Sequence, residues 1–194
     1  MKGVWLFVIG AISGAVVMTL PRVVAHLHAA LRGESVSHQT PGTRRAHTEE
    51  KFAFTAHAPM EQVAPLFGAD KERVWAPGWD PFFVHPAPAS DDEGMIFTVA
   101  HGHTKSVWVN TEFDLKAGRV EYVYVIPDAM VTRIRLKLTA EGNQTRVEVE
   151  YDRTALSEEG NEHVQHMAEQ DRSSGPDWEN QVNGYLERAA VRSR

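Results

Sequence analysis

The sequence predicts an α+β domain in which an antiparallel sheet packs against a C-terminal helical segment. Met130–Ala140 and Gln144–Tyr151 alternate apolar and polar residues around a Glu141-Gly142-Asn143 turn, as strands with one buried and one solvated face do. The strand-like segments before this hairpin follow one another too closely for crossover helices, which favours antiparallel pairing. The chain then ends with apolar residues at helical spacing, namely Trp178, Val182, Tyr185, Leu186 and Ala189.

The outward face of this hairpin carries opposite charges on its two strands. Arg133, Arg135 and Lys137 alternate with apolar residues on the first strand, and Glu148, Glu150 and Asp152 do so on the second. Opposite charges on neighbouring strands attract across the sheet and favour one register. We therefore expect cross-strand ion pairs on the solvated face.

The elements before the hairpin are one strand, two short helices and four more strands. His47–His57 alternates as a strand, Pro59 precedes a predicted helix over Met60–Phe67, and Asp70–Trp75 reads as a second short helix that ends before Pro77. Turn residues then bound four predicted strands, which are Phe82–His85, Gly94–Ala100, Lys105–Asp114 and Arg119–Ile126.

Two helical pieces follow the hairpin. Ser157 is suited to cap the first, Glu158–Asp171, which is polar apart from Val164, Met167 and Ala168. Ser173-Ser174-Gly175-Pro176 predicts a break, with Pro176 in the first turn of the second helix. The apolar face of the second helix is expected to cover the inner face of the sheet.

The composition of the chain excludes several classes of function. The chain has 194 residues, a formal net charge of −6 and no cysteine. An acidic chain without a basic face is not a nucleic-acid binder. The absence of cysteine excludes disulfides, thiolate nucleophiles and Cys-ligated zinc.

The N-terminus is predicted to be a separate membrane anchor. Gly3–Leu20 is a run of 18 residues without a charge, at the short end of what spans a bilayer. The alternative is a secretory signal cleaved near His28-Ala29-Ala30. Arg32–Arg45 is polar and reads as a flexible tether. The predicted division is therefore an anchor over residues 1–31, a tether over 32–45 and a domain over 46–194, and the side of the membrane stays open.

Several motifs give the domain a resemblance to a known family. They are Trp75-x-Pro77-Gly78-Trp79-Asp80-Pro81, Gly94-x-x-Phe97-x-x-x-His101, Val107-Trp108-Val109, Val120-Glu121-Tyr122-Val123-Tyr124, Thr145-x-Val147-x-Val149-x-Tyr151 and Thr154-Ala155-Leu156-Ser157-x-x-Gly160-Asn161. Together they resemble the polyketide cyclase/dehydrase and lipid-transport branch of the START-like (SRPBCC) superfamily over about Ala46–Ala190. The resemblance implies a helix-grip fold, in which a curved sheet wraps around a long C-terminal helix and encloses a cavity. Members mostly bind hydrophobic small molecules, and some cyclise or hydrolyse them.

Alternate residues of a strand lie on opposite faces of the sheet, which predicts the residues that face such a cavity. Val120, Tyr122 and Tyr124 share one side of their strand, and Phe97 joins them from another. A buried phenol needs a hydrogen-bond partner, which a protein group, a water or a ligand can provide. The predicted ligand-binding residues, for each of which core packing is the alternative role, are Trp79, His85, Phe97, Tyr122, Tyr124 and Trp178.

Motifs that would indicate a metal site or a particular catalytic chemistry are weak or absent in this sequence. His101-Gly102-His103 with His85 has the composition of a three-His metal site, yet its spacing is no more than that of histidines in a polar turn, so no metal is predicted. His163 and His166 lie one helical turn apart beside acidic residues, as on a solvated face. The chain has no Gly-x-Ser-x-Gly elbow and no phosphate-binding glycine loop.

Two functions remain after these exclusions. The first is a membrane-anchored binding protein for a hydrophobic, lipid-like or aromatic molecule, without a cofactor. The second is a cyclase/dehydrase-like or hydrolase-like enzyme, in which Tyr122, Tyr124 or His85 would polarise a carbonyl or move a proton. Parity places Glu112 and Asp114 on the outer face, away from such chemistry. A purely structural module would instead fill the inner space with its own side chains.

Overall fold

Seven strands form one antiparallel sheet in the order β1-β7-β6-β5-β4-β3-β2. A computed structural model of the chain describes residues 44–101 and 104–192. The predicted anchor and nearly all of the predicted tether lie outside these residues. The strands are β1 (His47–Ala56), β2 (Pro81–His85), β3 (Ile96–His101), β4 (Thr104–Asp114), β5 (Arg119–Ile126), β6 (Met130–Glu141) and β7 (Gln144–Ala155).

The β6–β7 hairpin has the predicted register and ion pairs. Ile134 lies opposite Tyr151 on the buried inner face of the sheet. On the outer face, Arg133 Nη2 lies 2.7 Å from Asp152 Oδ2, and Arg135 pairs with Glu150. Basic residues of one strand therefore meet acidic residues of its neighbour, as predicted.

Strand β7 is longer than predicted. The predicted strand ends at Tyr151, whereas the observed one continues to Ala155. It pairs with β6 over its whole length and with β1 from Thr145 to Thr154. These extra residues keep the alternation, so Arg153 and Ala155 lie on the inner face and are buried. The extension places a charged side chain in the interior of the protein.

The helical elements before β2 are short. They are α1 (Met60–Val63) and two 3₁₀ turns, Ala64–Phe67 and Lys71–Val74. Pro65 lies in the first turn of the 3₁₀ segment, and because proline has no N–H the α-helix does not continue through it. The predicted α-helix over Met60–Phe67 is therefore α-helical in its first half alone.

Two C-terminal helices cover the inner face of the sheet. They are α2 (Glu159–Ser173) and α3 (Gly175–Arg192), and the break between them falls where Ser173–Pro176 predicted it. Ser157 Oγ accepts a hydrogen bond of 2.9 Å from the Gly160 N–H, which is the geometry of an N-cap. No helix among residues 44–101 and 104–192 is both long and apolar enough to cross a bilayer.

Trp178 anchors α3 to the sheet and to the 3₁₀ turns. Its indole lies edge-on to the rings of Phe52 and Trp75, with centroids 5.5 and 5.3 Å away, and it stacks on Phe67 at 6.3 Å. Val182, one turn further on, is fully buried. The predicted apolar face of this helix is thus the face that packs on the sheet, and the remaining interior space lies beside it.

Candidate functional site

A cavity of about 230 Å³ lies between the inner face of the sheet and the two C-terminal helices. Strands β3 to β7 form its floor, and residues of α2 and α3 form its roof. It has an aromatic side around Trp108 and Phe97 and a polar side around Arg153 and Asp171. Tyr124 joins the two, because its ring stacks on Trp108 and its hydroxyl accepts from Arg153. The apolar lining residues are Trp79, Phe97, Trp108, Ile134, Leu136, Met167 and Trp178, and the polar ones are Glu72, Tyr122, Tyr124, Tyr151, Arg153, Gln170, Asp171, Ser173, Ser174, Asp177 and Gln181.

The aromatic side is a set of mutually packed rings. Trp108 stacks on Phe97 at 5.5 Å and on Tyr124 at 4.2 Å, and Trp79 meets Trp108 edge-on at 5.3 Å. The indole N–H groups are occupied, since Trp79 Nε1 donates to the Ala69 carbonyl and Trp108 Nε1 donates to Ser106 Oγ, both at 2.7 Å. These rings hold one another in place, so this part of the wall offers apolar contact.

Arg153 and Asp171 form an ion pair inside the polar side. Arg153 Nε donates to Asp171 Oδ2 at 2.7 Å and Nη2 donates to Oδ1 at 2.9 Å. Nη1 donates to the Tyr124 hydroxyl at 2.5 Å and to Thr132 Oγ1 at 3.0 Å. The arginine is 2% exposed, and its guanidinium lies 4.5 Å from the centroid of the Tyr151 ring. The pair joins β7 to α2 and fixes one end of the cavity.

The two charges of this pair respond differently to burial. Burial disfavours the guanidinium charge, but Tyr124 and the Asp171 carboxylate raise the pKa of Arg153 above its ordinary value. Burial raises the pKa of Asp171, while its hydrogen bonds from Arg153 oppose that rise. The twofold hydrogen bonding is the arrangement of an ionised carboxylate on a guanidinium, so the pair is formally neutral as a unit.

The three tyrosine hydroxyls of the cavity have different partners. Tyr122 donates to the Phe67 carbonyl at 2.5 Å. Tyr124 accepts from Arg153, which leaves its own O–H to donate. The Tyr151 hydroxyl makes no hydrogen bond among the described residues. Tyr124 and Tyr151 are therefore the phenols whose hydrogen-bonding capacity remains for a bound molecule.

Two glutamine side chains of the helices also have unmet capacity. Gln170 Nε2 lies 3.1 Å from His166 Nε2 on the same helix, whereas Gln170 Oε1 is buried without a donor. Gln181 Oε1, on α3, is likewise buried without a donor in the part of the chain described. Buried carbonyl oxygens in proteins normally accept a hydrogen bond. Both residues line the cavity, but these two oxygens have almost no accessible surface, so other atoms of the side chains face its open space.

Glu72 brings a carboxyl to the cavity from the second 3₁₀ turn. Burial, and secondarily the Asp91 carboxylate, raises the pKa of Glu72 well above its usual range. The pKa of Tyr122 is also raised well above its ordinary value, first by burial and then by Glu72 and Asp91. The carboxyl is therefore protonated over a wider pH range than a solvated glutamate, which is the state of a hydrogen-bond donor or a general acid.

Five of the six predicted ligand-binding residues line this cavity, namely Trp79, Phe97, Tyr122, Tyr124 and Trp178. His85 does not. Phe83 packs inward on Phe97, but the register between β2 and β3 shifts between Phe83 and His85. The bulge interrupts the alternation that would have brought His85 inward, and the side chain is exposed. The prediction that His85 lies at the cavity is therefore wrong. Ligand binding by the other five residues stays a prediction.

Sequence reasoning missed Arg153 and Asp171, although both follow the patterns it used. Arg153 continues the inward series of alternate residues that includes Val149 and Tyr151. Asp171 lies seven residues after Val164, on the helical face that also carries Met167, and it is buried with them. Extending the periodicity by one step on each element would have brought both charges to the interior.

The remaining chemical candidates lie outside the cavity. Glu112 and Asp114 pair with Arg119 on the outer surface, at 2.5 and 3.2 Å, as parity predicted. Among residues 44–101 and 104–192, no three His, Asp or Glu side chains are grouped to hold a metal ion. Gly102 and His103 lie outside that part.

The fold is shared with solved structures of low sequence identity. The chain matches no family model and no curated protein. Norcoclaurine synthase from Thalictrum flavum, in complex with dopamine and hydroxybenzaldehyde, is 8% identical, aligns over 82% of this chain and 99% of its own, and has a TM-score of 0.55. Ara h 8.0201 is 11% identical over 73% of this chain and 98% of its own, with a TM-score of 0.51. The shared architecture is the helix-grip type, as the START-like resemblance implied.

Proposed function

We propose that this protein binds a small hydrophobic molecule, lipid-like or aromatic, in the cavity between the sheet and the C-terminal helices. The observation that carries the proposal is the lining of the cavity, in which packed aromatic rings lie beside the Tyr124 and Tyr151 hydroxyls and the Arg153–Asp171 pair. Apolar pockets with a small number of placed polar groups are the usual form of small-molecule sites. The rings supply contact area, and the polar groups orient the molecule.

The size of the cavity sets the size of its occupant. Its volume is about 230 Å³, whereas an engineered apolar cavity of about 150 Å³ in another protein binds benzene. A molecule of one or two rings, or a short branched chain, would fill it. The space also argues against a purely structural module, because the inner side chains leave it open.

Native mass spectrometry of the full chain, released from detergent, tests this proposal. We expect a complex with a small molecule that co-purifies or is added as an apolar probe. Ile134→Phe adds bulk to the cavity wall from β6 and should abolish the complex. Val131→Phe adds bulk to the opposite face of the same strand and should preserve it. If both variants retain the small molecule equally well, binding in this cavity is contradicted.

A second candidate is an enzyme of the cyclase/dehydrase-like or hydrolase-like type, and Glu72 favours it. The carboxyl lines the cavity and has a raised pKa, so it can deliver a proton to a bound carbonyl or leaving group. Incubation with hydroxybenzaldehyde and dopamine, which the norcoclaurine synthase structure contains, tests for turnover. Product formation lost in Glu72→Gln and kept in the exposed-surface variant Glu112→Gln would establish catalysis. Binding of both compounds without product would leave the binding function alone.

We also propose that the domain is held at a membrane by Gly3–Leu20 and belongs to the cyclase/dehydrase and lipid-transport branch. The uncharged run of 18 residues supports the anchor, and the motifs of the domain support the branch. Fractionation of expressing cells tests the anchor, since the full chain should sediment with membranes and resist high-salt extraction. Recovery of a shortened chain that starts near Ala30 would indicate a cleaved signal instead.

A further inference from the structure

Two tyrosine hydroxyls of the cavity carry protons that have no acceptor in the described part of the chain. The Tyr151 hydroxyl makes no hydrogen bond there, and it keeps accessible surface although the residue as a whole is buried. The Tyr124 hydroxyl accepts from Arg153 Nη1, so its own proton is left to donate. A hydroxyl that accepts from a cation is also a stronger donor, because the two bonds polarise each other. The Glu72 carboxyl, whose pKa is raised first by burial, adds a third proton in its neutral form.

The two tyrosines lie beside one arginine on the floor of the cavity. Thr132 of β6 pairs with Tyr124 on one side and with Arg153 on the other. Tyr151 precedes Arg153 by two residues of β7, on the same inner face. The guanidinium carbon is 4.5 Å from the centroid of the Tyr151 ring and 6.0 Å from that of the Tyr124 ring. Both phenols are therefore at the same end of the cavity, next to Trp108, on which Tyr124 stacks.

The acceptors of the lining are already bonded, are inaccessible or lie at its exposed rim. Each carboxylate oxygen of Asp171 receives a hydrogen bond from Arg153, and the glutamine oxygens of the roof have almost no accessible surface. Ser173 and Asp177, at the break between α2 and α3, are exposed. Among the described residues of the lining, Arg153 is the only arginine or lysine, so an anionic ligand would meet no unpaired positive charge. The inner end of the cavity thus offers donors without net charge.

We propose that the cavity selects a neutral one- or two-ring molecule whose polar end accepts hydrogen bonds, such as a ketone, an aldehyde or a quinone, over a molecule whose polar group only donates. This inference rests on the proposed binding function and narrows it to a ligand class. The packed aromatic rings contact the ring system of the ligand. A carbonyl oxygen has two lone pairs, one for each tyrosine hydroxyl. A ligand that only donates would leave both hydroxyl protons without an acceptor.

Four two-ring probes test the proposal in the wild-type chain. Indene has no hydrogen-bonding group, indole has an N–H donor, 1-indanone has a neutral carbonyl and 1-indanecarboxylate has a charged acceptor. Calorimetric titration of the full chain in nanodiscs at pH 7 measures each Kd, with empty nanodiscs as the blank. We expect 1-indanone to bind about fivefold or more tightly than indole and 1-indanecarboxylate, because it alone gives the tyrosine protons an acceptor without burying a charge.

Two tyrosine variants assign the selectivity to a named group. Tyr151→Phe removes a hydroxyl that has no partner within the described residues, so the protein should fold. The affinity for 1-indanone should fall about fivefold, while the affinities for indole and indene should stay unchanged. Tyr185→Phe is the matched control, because Tyr185 belongs to α3 and is not part of the cavity lining. It should leave all four Kd values unchanged.

The outcomes separate this inference from the proposed function. If none of the four probes binds, indene included, the binding function and the ligand class both fail. If indene binds but indole or 1-indanecarboxylate binds as tightly as 1-indanone, the binding function stands and the ligand class is overturned. The same conclusion follows if Tyr151→Phe leaves the affinity for 1-indanone unchanged, or lowers the affinities for 1-indanone and indole equally.

Discussion

Removing the Asp171 carboxylate should destabilise the protein far more than removing a comparable carboxylate at the surface. Arg153 is 2% exposed, and arginine does not lose its proton in proteins, so Asp171→Ala leaves an uncompensated charge in the interior. Breaking a buried pair in this way costs about 3–5 kcal/mol. For a domain of this size, about 2–4 °C of Tm accompany each kcal/mol, so we expect a loss of roughly 6–20 °C.

The Arg133–Asp152 pair provides a control of the same residue types. Its shortest N to O distance is 2.7 Å, equal to that of the buried pair, but its side chains are 42% and 18% exposed. An exposed pair contributes about 0–1 kcal/mol, so Asp152→Ala should change stability by no more than that. The two pairs share their residue types and differ in burial and in hydrogen bonding, since Asp171 accepts two hydrogen bonds from its arginine and Asp152 accepts one.

Urea unfolding followed by tryptophan fluorescence gives the free energy of unfolding of each variant. Arg153→Met should cost less than Asp171→Ala, because a buried aspartate can become neutral by taking a proton, as its raised pKa already favours. The Arg153→Met/Asp171→Leu double variant should recover much of the loss, since an apolar pair leaves no buried charge. An Asp171→Ala protein within about 1 kcal/mol of wild type would refute a buried, paired arginine.

Three further predictions test separate parts of the structure. Burial raises the pKa of Glu72 well above its usual range in the folded state, whereas a glutamate in the unfolded chain ionises near pH 4.3. The unfolded chain therefore releases this proton at a lower pH than the folded protein does, and folding becomes less favourable as pH rises above about 4. Unfolding curves of Glu72→Gln between pH 5 and 8 should show a flatter profile and a higher stability at pH 7 than wild type. Gly118→Ala should lower the free energy of unfolding in urea by more than about 2 kcal/mol, because φ is +67° and the new Cβ would lie 2.3 Å from the Leu138 carbonyl oxygen. Gly142→Ala, at φ +64° with no atom nearby, should show only the backbone strain of about 1–2 kcal/mol. Equal losses in the two variants would contradict the close approach at Gly118. Tyr122→Phe should lower the free energy of unfolding by about 0.5–1.5 kcal/mol, the net contribution of its single hydrogen bond. An unchanged free energy of unfolding would mean that this bond is not formed.

The sheet and its register were predictable because each rests on a local pattern. Period-two alternation in β6 and β7 assigned the inner and outer faces, and the charges of Arg133 and Asp152 then matched across the hairpin. The helix break followed from the backbone restrictions of Gly175 and Pro176. These signals involve residues close in sequence or directly paired, so a single chain displays them.

The polar side of the cavity was less predictable because it depends on contacts between distant elements. Arg153 and Asp171 are 18 residues apart in sequence and belong to a strand and a helix, so no short motif joins them. The predicted strand ends at Tyr151, so its inward alternation stops one step before Arg153. His85 shows the opposite error, since alternation does not reveal the bulge that turns it outward.

A crystal structure of the protein with 6-bromo-2-naphthol tests the central claim most directly, because the anomalous signal of bromine locates the ligand independently of the refined density. We predict a bromine peak on the aromatic side, near Trp108 and Phe97, with the naphthol oxygen within 3.2 Å, the usual hydrogen-bond limit, of the Tyr124 or Tyr151 hydroxyl. A bromine peak on the outer face of the sheet, with an empty cavity in a crystal grown at saturating ligand, would contradict the claim that this cavity is the binding site.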